Sequence, residues 1–144
     1  MKNIASLLFL IVISQQIYCQ RSADTVISNN PQNIRLKLYY FHITNRCNTC
    51  YSIEANIRKT LADYFKSKVD TGIIDLYILN CELPENKFIV KKYDAYGATL
   101  ALTPYQNGYE LKTEDLTGWA FQKANKPEIF ISELKAKIDE FIGK

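Results

Sequence analysis

Two cysteines, Cys47 and Cys50, stand between two segments of different hydrophobic periodicity. Residues 34–43 before them are apolar and aromatic on both faces of an alternating pattern, which predicts a central strand covered on each side. Over residues 52–65, apolar side chains recur at helical spacing, which predicts an amphipathic helix. A Cys-x-x-Cys pair at the first turn of a helix meets free N–H groups and the positive end of the helix dipole. Both favour a thiolate, which is the species that attacks disulfides.

Residues 1–19 have the pattern of a secretory signal peptide. A short basic start is followed at 4–13 by an apolar run interrupted only by Ser6. This run is shorter than the ~20 residues that a membrane-spanning helix needs. We expect cleavage after Cys19 and a periplasmic or secreted protein that does not contact the membrane after cleavage. An uncleaved anchor helix, or a lipidated Cys19, is the alternative.

Length, charge and cysteine count limit the number of domains, the partners and the role of disulfides. The 144 residues suffice for one domain, and the formal net charge of +3 falls to +2 if Lys2 leaves with the signal peptide. This charge, without a basic patch interleaved with aromatic residues, predicts no nucleic-acid partner. After cleavage the cysteines are Cys47, Cys50 and Cys81, and an odd number argues against a purely structural disulfide framework.

A polar segment at 20–33 is expected to act as a tether before a single domain at 34–144. After the first strand and helix, the pattern predicts a second strand at 73–79 and a second helix from Pro84. Two further strands are predicted at 99–103 and 109–111, and a final helix from Pro127. A helix that connects the first two strands predicts that they are parallel. Asn107-Gly108 tolerates positive φ at both positions and predicts a hairpin turn between the last two strands.

The order strand–helix–strand–helix–strand–strand–helix is that of the thioredoxin fold, which has its Cys-x-x-Cys after the first core strand. Residues 40–50, Tyr-Phe-His-Ile-Thr-Asn-Arg-Cys-Asn-Thr-Cys, resemble small exported bacterial thioredoxin-like proteins described as nitrophenyl-compound nitroreductase subunits of the ArsF type. The resemblance implies a three-layer α/β domain with a central mixed sheet of about four strands. Thioredoxins place a cis-proline before the third core strand; here Thr99 takes that place, and Pro104 is expected past the strand, opening the hairpin.

The motif assigns different roles to its two sulfurs. Cys47 would be the exposed attacking thiolate and Cys50, one turn further in, the resolving thiol. Arg46 would add a fixed positive charge beside Cys47 and lower the pKa of the Cys47 thiol. The alternative is that Arg46 is a solvated loop residue with no role in the site. A zinc site would need four ligands, and the sequence has no second Cys-x-x-Cys. A purely structural disulfide remains open.

Two further residues could contribute to the site. His42 is the only histidine; it could be a hydrogen-bonded core residue, relay the proton of Cys50 or ligate a metal. Cys81 directly follows the second strand, at the sheet edge where α/β proteins bind ligands, on the order of 10 Å from the pair. An inert buried cysteine is the alternative for Cys81. The aromatic residues, Tyr40 among them, are expected to fill the core and its rim.

The sequence therefore predicts a thiol–disulfide oxidoreductase that acts on a protein thiol or disulfide partner. Its redox-active disulfide would replace any other cofactor. A second hypothesis is a binding module for a soft metal or metalloid such as copper(I), held by Cys47 and Cys50 with His42 or Cys81. A third is a redox-inert subunit that keeps the fold for docking to a partner.

Overall fold

The computed structural model describes residues 33–143, so the predicted signal peptide and nearly all of the predicted tether lie outside the described residues. The central sheet has three long strands, β1, β2 and β3, and two short strands, β4 and β5. Their bounds are Leu36–His42, Ile74–Asn80, Thr99–Gln106, Tyr109–Glu110 and Glu114–Asp115. β1 lies in the middle, parallel to β2 and antiparallel to β3, while β4 and β5 pair with β3. The predicted mixed sheet is confirmed.

Five α-helices connect and cover these strands. They are α1 (Asn48–Tyr64), α2 (Lys66–Asp70), α3 (Lys87–Tyr93), α4 (Thr117–Lys123) and α5 (Pro127–Ile142), with a 3₁₀ turn at Pro84–Asn86 before α3. Among residues 33–143, no helix combines the length and the apolar composition that a membrane crossing requires.

The two faces of the sheet are covered by different helices. Leu36, Leu38 and Tyr40 of β1 pack in one buried cluster with residues of α1, α4 and α5. Tyr39 and Phe41 alternate with them and pack on the other face, in a smaller cluster with residues of α3. Because both faces of β1 are covered, its residues are apolar or aromatic at nearly every position. The layers and the strand order confirm the predicted thioredoxin-like α/β architecture.

Pro104 is not where the sequence predicted. It lies inside β3, buried, in register with Leu36 of β1, so the prediction that it opens the hairpin is wrong. The carbonyl oxygen of Pro104 accepts a hydrogen bond from the Leu111 amide. The backbone polar groups of Pro104 therefore face away from β1. A proline is tolerated there because the sheet requires no amide donor on that side.

The hairpin turn itself lies at Asn107 and Gly108, as predicted. Both residues have positive φ, 53° and 81°, which matches the right-handed twist of the flanking strands. Thr99 is the first residue of β3 and pairs with Phe41 near the end of β1. No peptide bond within residues 33–143 is cis, so a cis-proline is absent from this part of the chain.

Candidate functional site

The cysteine pair lies where β1 passes through a five-residue loop into α1. Cys47 is the N-cap residue of α1, with extended φ and ψ of −82° and 164°, and its carbonyl accepts a hydrogen bond from the Tyr51 amide. The helix thus begins at Asn48, before the apolar pattern that starts at residue 52. The pattern does not reveal this start because the first turn carries polar residues, which show no apolar periodicity. Both cysteines are therefore part of the first turn, as the sequence predicted.

The two sulfurs are close together but differ in exposure. Cys47 Sγ and Cys50 Sγ are 3.0 Å apart, and both residues are free thiols. Cys47 is exposed, whereas Cys50 is only 6% exposed. A partner molecule can therefore reach Cys47 first, and Cys50 lies behind it.

The local chemistry also separates the two thiols. The Cys50 side chain donates a hydrogen bond that lowers the pKa of Cys47, and the backbone N–H groups of Cys50 and Thr49 add to the effect. Burial raises the pKa of Cys50, and the neighbouring Cys47 sulfur raises it further. Of the two thiols, Cys47 therefore ionises more readily than Cys50.

Arg46 lies beside the pair, and its guanidinium is held by groups of α1. Its Nη2 lies 2.5 Å from Glu54 and donates a hydrogen bond to the Cys50 carbonyl oxygen at 3.3 Å. The guanidinium carbon also lies 4.5 Å from the centre of the Tyr51 ring. Arg46 is therefore a largely buried residue held by α1, and the groups that lower the pKa of Cys47 are hydrogen-bond donors in the first turn.

Tyr40 forms a hydrogen bond with the backbone of Cys50, a contact that the sequence analysis missed. Its hydroxyl donates a hydrogen bond of 2.9 Å to the Cys50 carbonyl oxygen, and the residue is 1% exposed. The Arg46 guanidinium carbon lies 5.7 Å from the Tyr40 ring centre. Strand alternation could have suggested the contact, because Tyr40 shares the face of β1 that receives α1.

Hydrogen bonds connect the loop before Cys47 to the loop after β2. The Thr44 amide donates to the Glu82 carboxylate at 2.8 Å, and the Asn80 side-chain amide donates to the Thr44 hydroxyl at 3.0 Å. The Cys81 amide donates to the His42 carbonyl oxygen at 2.8 Å. This network fixes the backbone that presents Cys47.

His42 and Cys81 lie at the same end of the sheet as the pair. Nδ1 of His42 hydrogen-bonds to the Ile43 carbonyl oxygen at 2.9 Å. Cys81 is half-buried against the cluster on the α3 face, and burial raises the pKa of its thiol. Within residues 33–143, no three His, Cys, Asp or Glu side chains are grouped so that they could hold a metal ion. The cysteine pair is thus brought together without a third such ligand from the described part of the chain.

No protein-family model matches the chain, and no curated protein matches it. Among solved structures, a malarial protein shares 19% identity, with a TM-score of 0.42, over 69% of this chain and 96% of its own. Mitochondrial thioredoxin 3 from Saccharomyces cerevisiae, in its oxidized form, shares 14% identity, with a TM-score of 0.40, over 65% of this chain and 78% of its own. Thioredoxin f2 from Chlamydomonas reinhardtii shares 14% identity, with a TM-score of 0.41, over 71% of this chain and 97% of its own.

The strand order, the helices on both faces and the cysteine pair at the start of α1 together define a thioredoxin-like fold with a Cys-x-x-Cys pair. This assignment rests on the observed topology and on the position of the pair. No family model supports the narrower resemblance of residues 40–50 to the ArsF type.

Proposed function

We propose that the chain is a thiol–disulfide oxidoreductase that works through Cys47 and Cys50. The observation that carries the proposal is the arrangement of the two free sulfurs, 3.0 Å apart at the start of α1, one exposed and one buried. A structural disulfide would have no need of an exposed sulfur with a lowered pKa. The short distance allows the two sulfurs to exchange a bond with little movement of the backbone.

In the reducing direction, the Cys47 thiolate attacks one sulfur of a partner disulfide. A bond forms between Cys47 and that sulfur, the partner's S–S bond breaks, and the second partner sulfur leaves as a thiolate. Cys50 then loses its proton and attacks the Cys47 sulfur. The Cys47–Cys50 disulfide forms, the mixed disulfide breaks, and the first partner sulfur leaves as a thiolate. The partner is released with two thiols after both are protonated, and two electrons have moved from the cysteine pair to the partner.

The substrate of such a pair is a protein with an accessible disulfide or pair of thiols, because Cys47 is exposed at the surface. The pair itself carries the electrons, so the proposed reaction requires no other cofactor. The signal-peptide pattern at 1–19 supports work in the periplasm or outside the cell.

Reduction of insulin disulfides, with dithiothreitol as the electron source, tests the proposal. We expect Cys47→Ser to abolish the protein-dependent rate and Cys50→Ser to trap mixed disulfides. Cys81→Ser is the matched control, since it removes a third thiol from the same end of the sheet. Activity of Cys47→Ser equal to wild type would refute the proposal, and loss of its folded circular-dichroism spectrum would assign the pair to structure.

Capture of a soft ion such as copper(I) is the second candidate function. It is favoured by two free thiols at 3.0 Å, since soft thiolates select such ions. His42 and Cys81 would be the candidate third ligands. A redox-inert docking subunit is the third candidate, and it would be left if the protein neither exchanged disulfides nor bound copper(I).

A further inference from the structure

The hydroxyl of Tyr40 lies beneath the first turn of α1, at the buried end of the cysteine pair. It donates to the carbonyl oxygen of Cys50 at 2.9 Å, and the ring is 1% exposed and packed among residues of β1, β2, α1 and α5. A ring enclosed in this way has no room to turn away. The hydroxyl is therefore a fixed polar group on the inner side of Cys50.

Cys50 needs such a group more than Cys47 does. In the resolving step it must become a thiolate although burial raises its pKa. The charged or titratable neighbours in the first turn are Cys47, Arg46 and Glu54, and the Glu54 carboxylate is occupied by Arg46 and Arg58. Within residues 33–143, no carboxylate accepts a hydrogen bond from Cys50.

We propose that Tyr40 is a positioning residue for the resolving step, whose hydroxyl holds the Cys50 backbone and stabilises the sulfur as its negative charge develops. The inference rests on the proposed function. The hydrogen bond goes to the neutral carbonyl oxygen of Cys50, and the same hydroxyl also lowers the pKa of the Cys50 thiol, so it favours the Cys50 thiolate over the thiol.

Tyr40 acts as a donor and not as a base. Burial raises the pKa of its hydroxyl far above the usual range, so the proton stays on the oxygen at any working pH. The proton that leaves Cys50 must therefore go to a group other than Tyr40. Tyr40 changes the stability of the anion and takes no part in the proton balance.

The chromogenic disulfide DTNB separates the two steps. In a Cys81→Ser background, one coloured thiolate is released when Cys47 attacks and a second when Cys50 resolves the mixed disulfide. Tyr40→Phe removes a single oxygen and keeps the ring. We expect the second phase to slow roughly tenfold, because the Cys50 thiolate loses a neighbouring hydroxyl that favours it, and the first phase to stay unchanged.

Tyr39→Phe is the matched control. It removes a hydroxyl from another buried tyrosine of β1, on the opposite face of the sheet, where Tyr39 packs against Tyr77 and Tyr93. Both phases should keep their wild-type rates. A second phase in Tyr40→Phe as fast as in Tyr39→Phe, or equal slowing of both phases, overturns the role of Tyr40 and leaves the proposed function standing. If the Cys81→Ser parent itself shows no second phase, the proposed function fails, and the inference fails with it.

Nuclear magnetic resonance keeps the inference testable if Tyr40→Phe does not fold. In the native chain labelled at the tyrosine Cζ carbon, the Tyr40 signal should move when the pair is oxidised, because the neighbouring sulfur changes from thiol to disulfide. The Tyr39 signal should stay in place. An unchanged Tyr40 signal overturns the proposal.

Discussion

Arg46 and Glu54 form an ion pair across the first turn of α1, with 2.5 Å between Nη2 and Oε2. Their side chains are only 11% and 14% exposed. The other oxygen of Glu54 accepts a hydrogen bond from Arg58 at 2.8 Å. The positive charge of Arg46 is thus paired with Glu54, and the same Nη2 also donates to the Cys50 carbonyl oxygen.

The first prediction concerns what activates Cys47. Because the thiol of Cys50 is the main donor to the Cys47 sulfur, Cys50→Ala should raise the pKa of Cys47 toward the ~8.5 of a free cysteine. Arg46→Gln should change it much less. The pH dependence of iodoacetamide alkylation of Cys47, followed by peptide mapping in a Cys81→Ser background, measures both effects.

The reverse order of these effects would assign the activation to Arg46. A midpoint of Cys47 alkylation at or above that of a free cysteine, in the protein with both thiols intact, would remove the case for an attacking thiolate.

The second prediction concerns acid stability. Burial raises the pKa of Glu54, but hydrogen bonds from Arg58 and Arg46 outweigh this effect, and the pKa of Glu54 lies below the ordinary value of 4.5. A carboxylate with a depressed folded-state pKa stabilises the fold above its unfolded pKa and loses that contribution as the pH falls through the folded value. Glu54→Gln should therefore cost about 1–3 kcal/mol at neutral pH and flatten the loss of stability in acid.

Urea unfolding of wild type and Glu54→Gln at neutral and acidic pH measures this difference. Asp63→Asn is the matched control, because Asp63 forms an exposed i,i+4 pair with Lys59 on the same helix. Equal destabilisation by both variants would show that the buried position of Glu54 has no special importance.

The sequence predicted the strands, the helices and the hairpin turn because these elements depend on hydrophobic periodicity and turn chemistry. The alternating strand of residues 34–43, the helical spacing in α1 and the Asn107-Gly108 turn each have a local physical cause. The direction of the Arg46 side chain and the hydroxyl contact of Tyr40 do not. They depend on how a helix packs on a strand, and a single sequence does not encode that contact in any local pattern.

Pro104 shows the same limit in the backbone. A proline near a predicted strand end is ordinarily a signal that the strand stops. Here β3 continues through it to Gln106, because the polar edge of Pro104 faces away from β1 and the pairing with β1 needs no amide donor from this residue. The sequence does not reveal on which side of a strand the backbone amide and carbonyl of a given residue lie.

The third prediction uses two glycines with opposite backbone requirements. Gly108 has φ of 81° in the hairpin turn, so Gly108→Ala should destabilise the protein by about 1–2 kcal/mol. Gly118 lies in α4, and a methyl group there would meet no atom within 4 Å. Gly118→Ala should therefore stabilise the protein by up to about 1 kcal/mol. Thermal unfolding measures both, and equal shifts in the same direction would contradict the turn assignment.

The fourth prediction separates electron transfer from ion capture. If the protein is an oxidoreductase, Cys81→Ser should leave turnover nearly unchanged, and His42→Asn should at most slow the resolving step, within the ~10²–10⁴-fold typical of a general base. If it carries copper(I), loss of a third ligand should weaken affinity sharply. Competition with a copper(I) chelator on wild type and both variants measures the affinity.

Weak copper(I) binding by the native chain, unaltered by either substitution, would eliminate the carrier function. Tight binding that collapses with either substitution, in a protein that does not reduce insulin, would instead refute the oxidoreductase proposal.

The most direct test of the central claim is the redox equilibrium of the Cys47–Cys50 pair in metal-free protein. The Cys81→Ser chain is equilibrated with graded mixtures of oxidised and reduced dithiothreitol or glutathione, quenched in acid, alkylated and weighed by mass spectrometry. We predict one reversible two-electron transition between dithiol and disulfide, with the folded circular-dichroism spectrum retained in both states. Two thiols that stay reduced in every mixture, or a disulfide whose reduction unfolds the chain, would contradict the account.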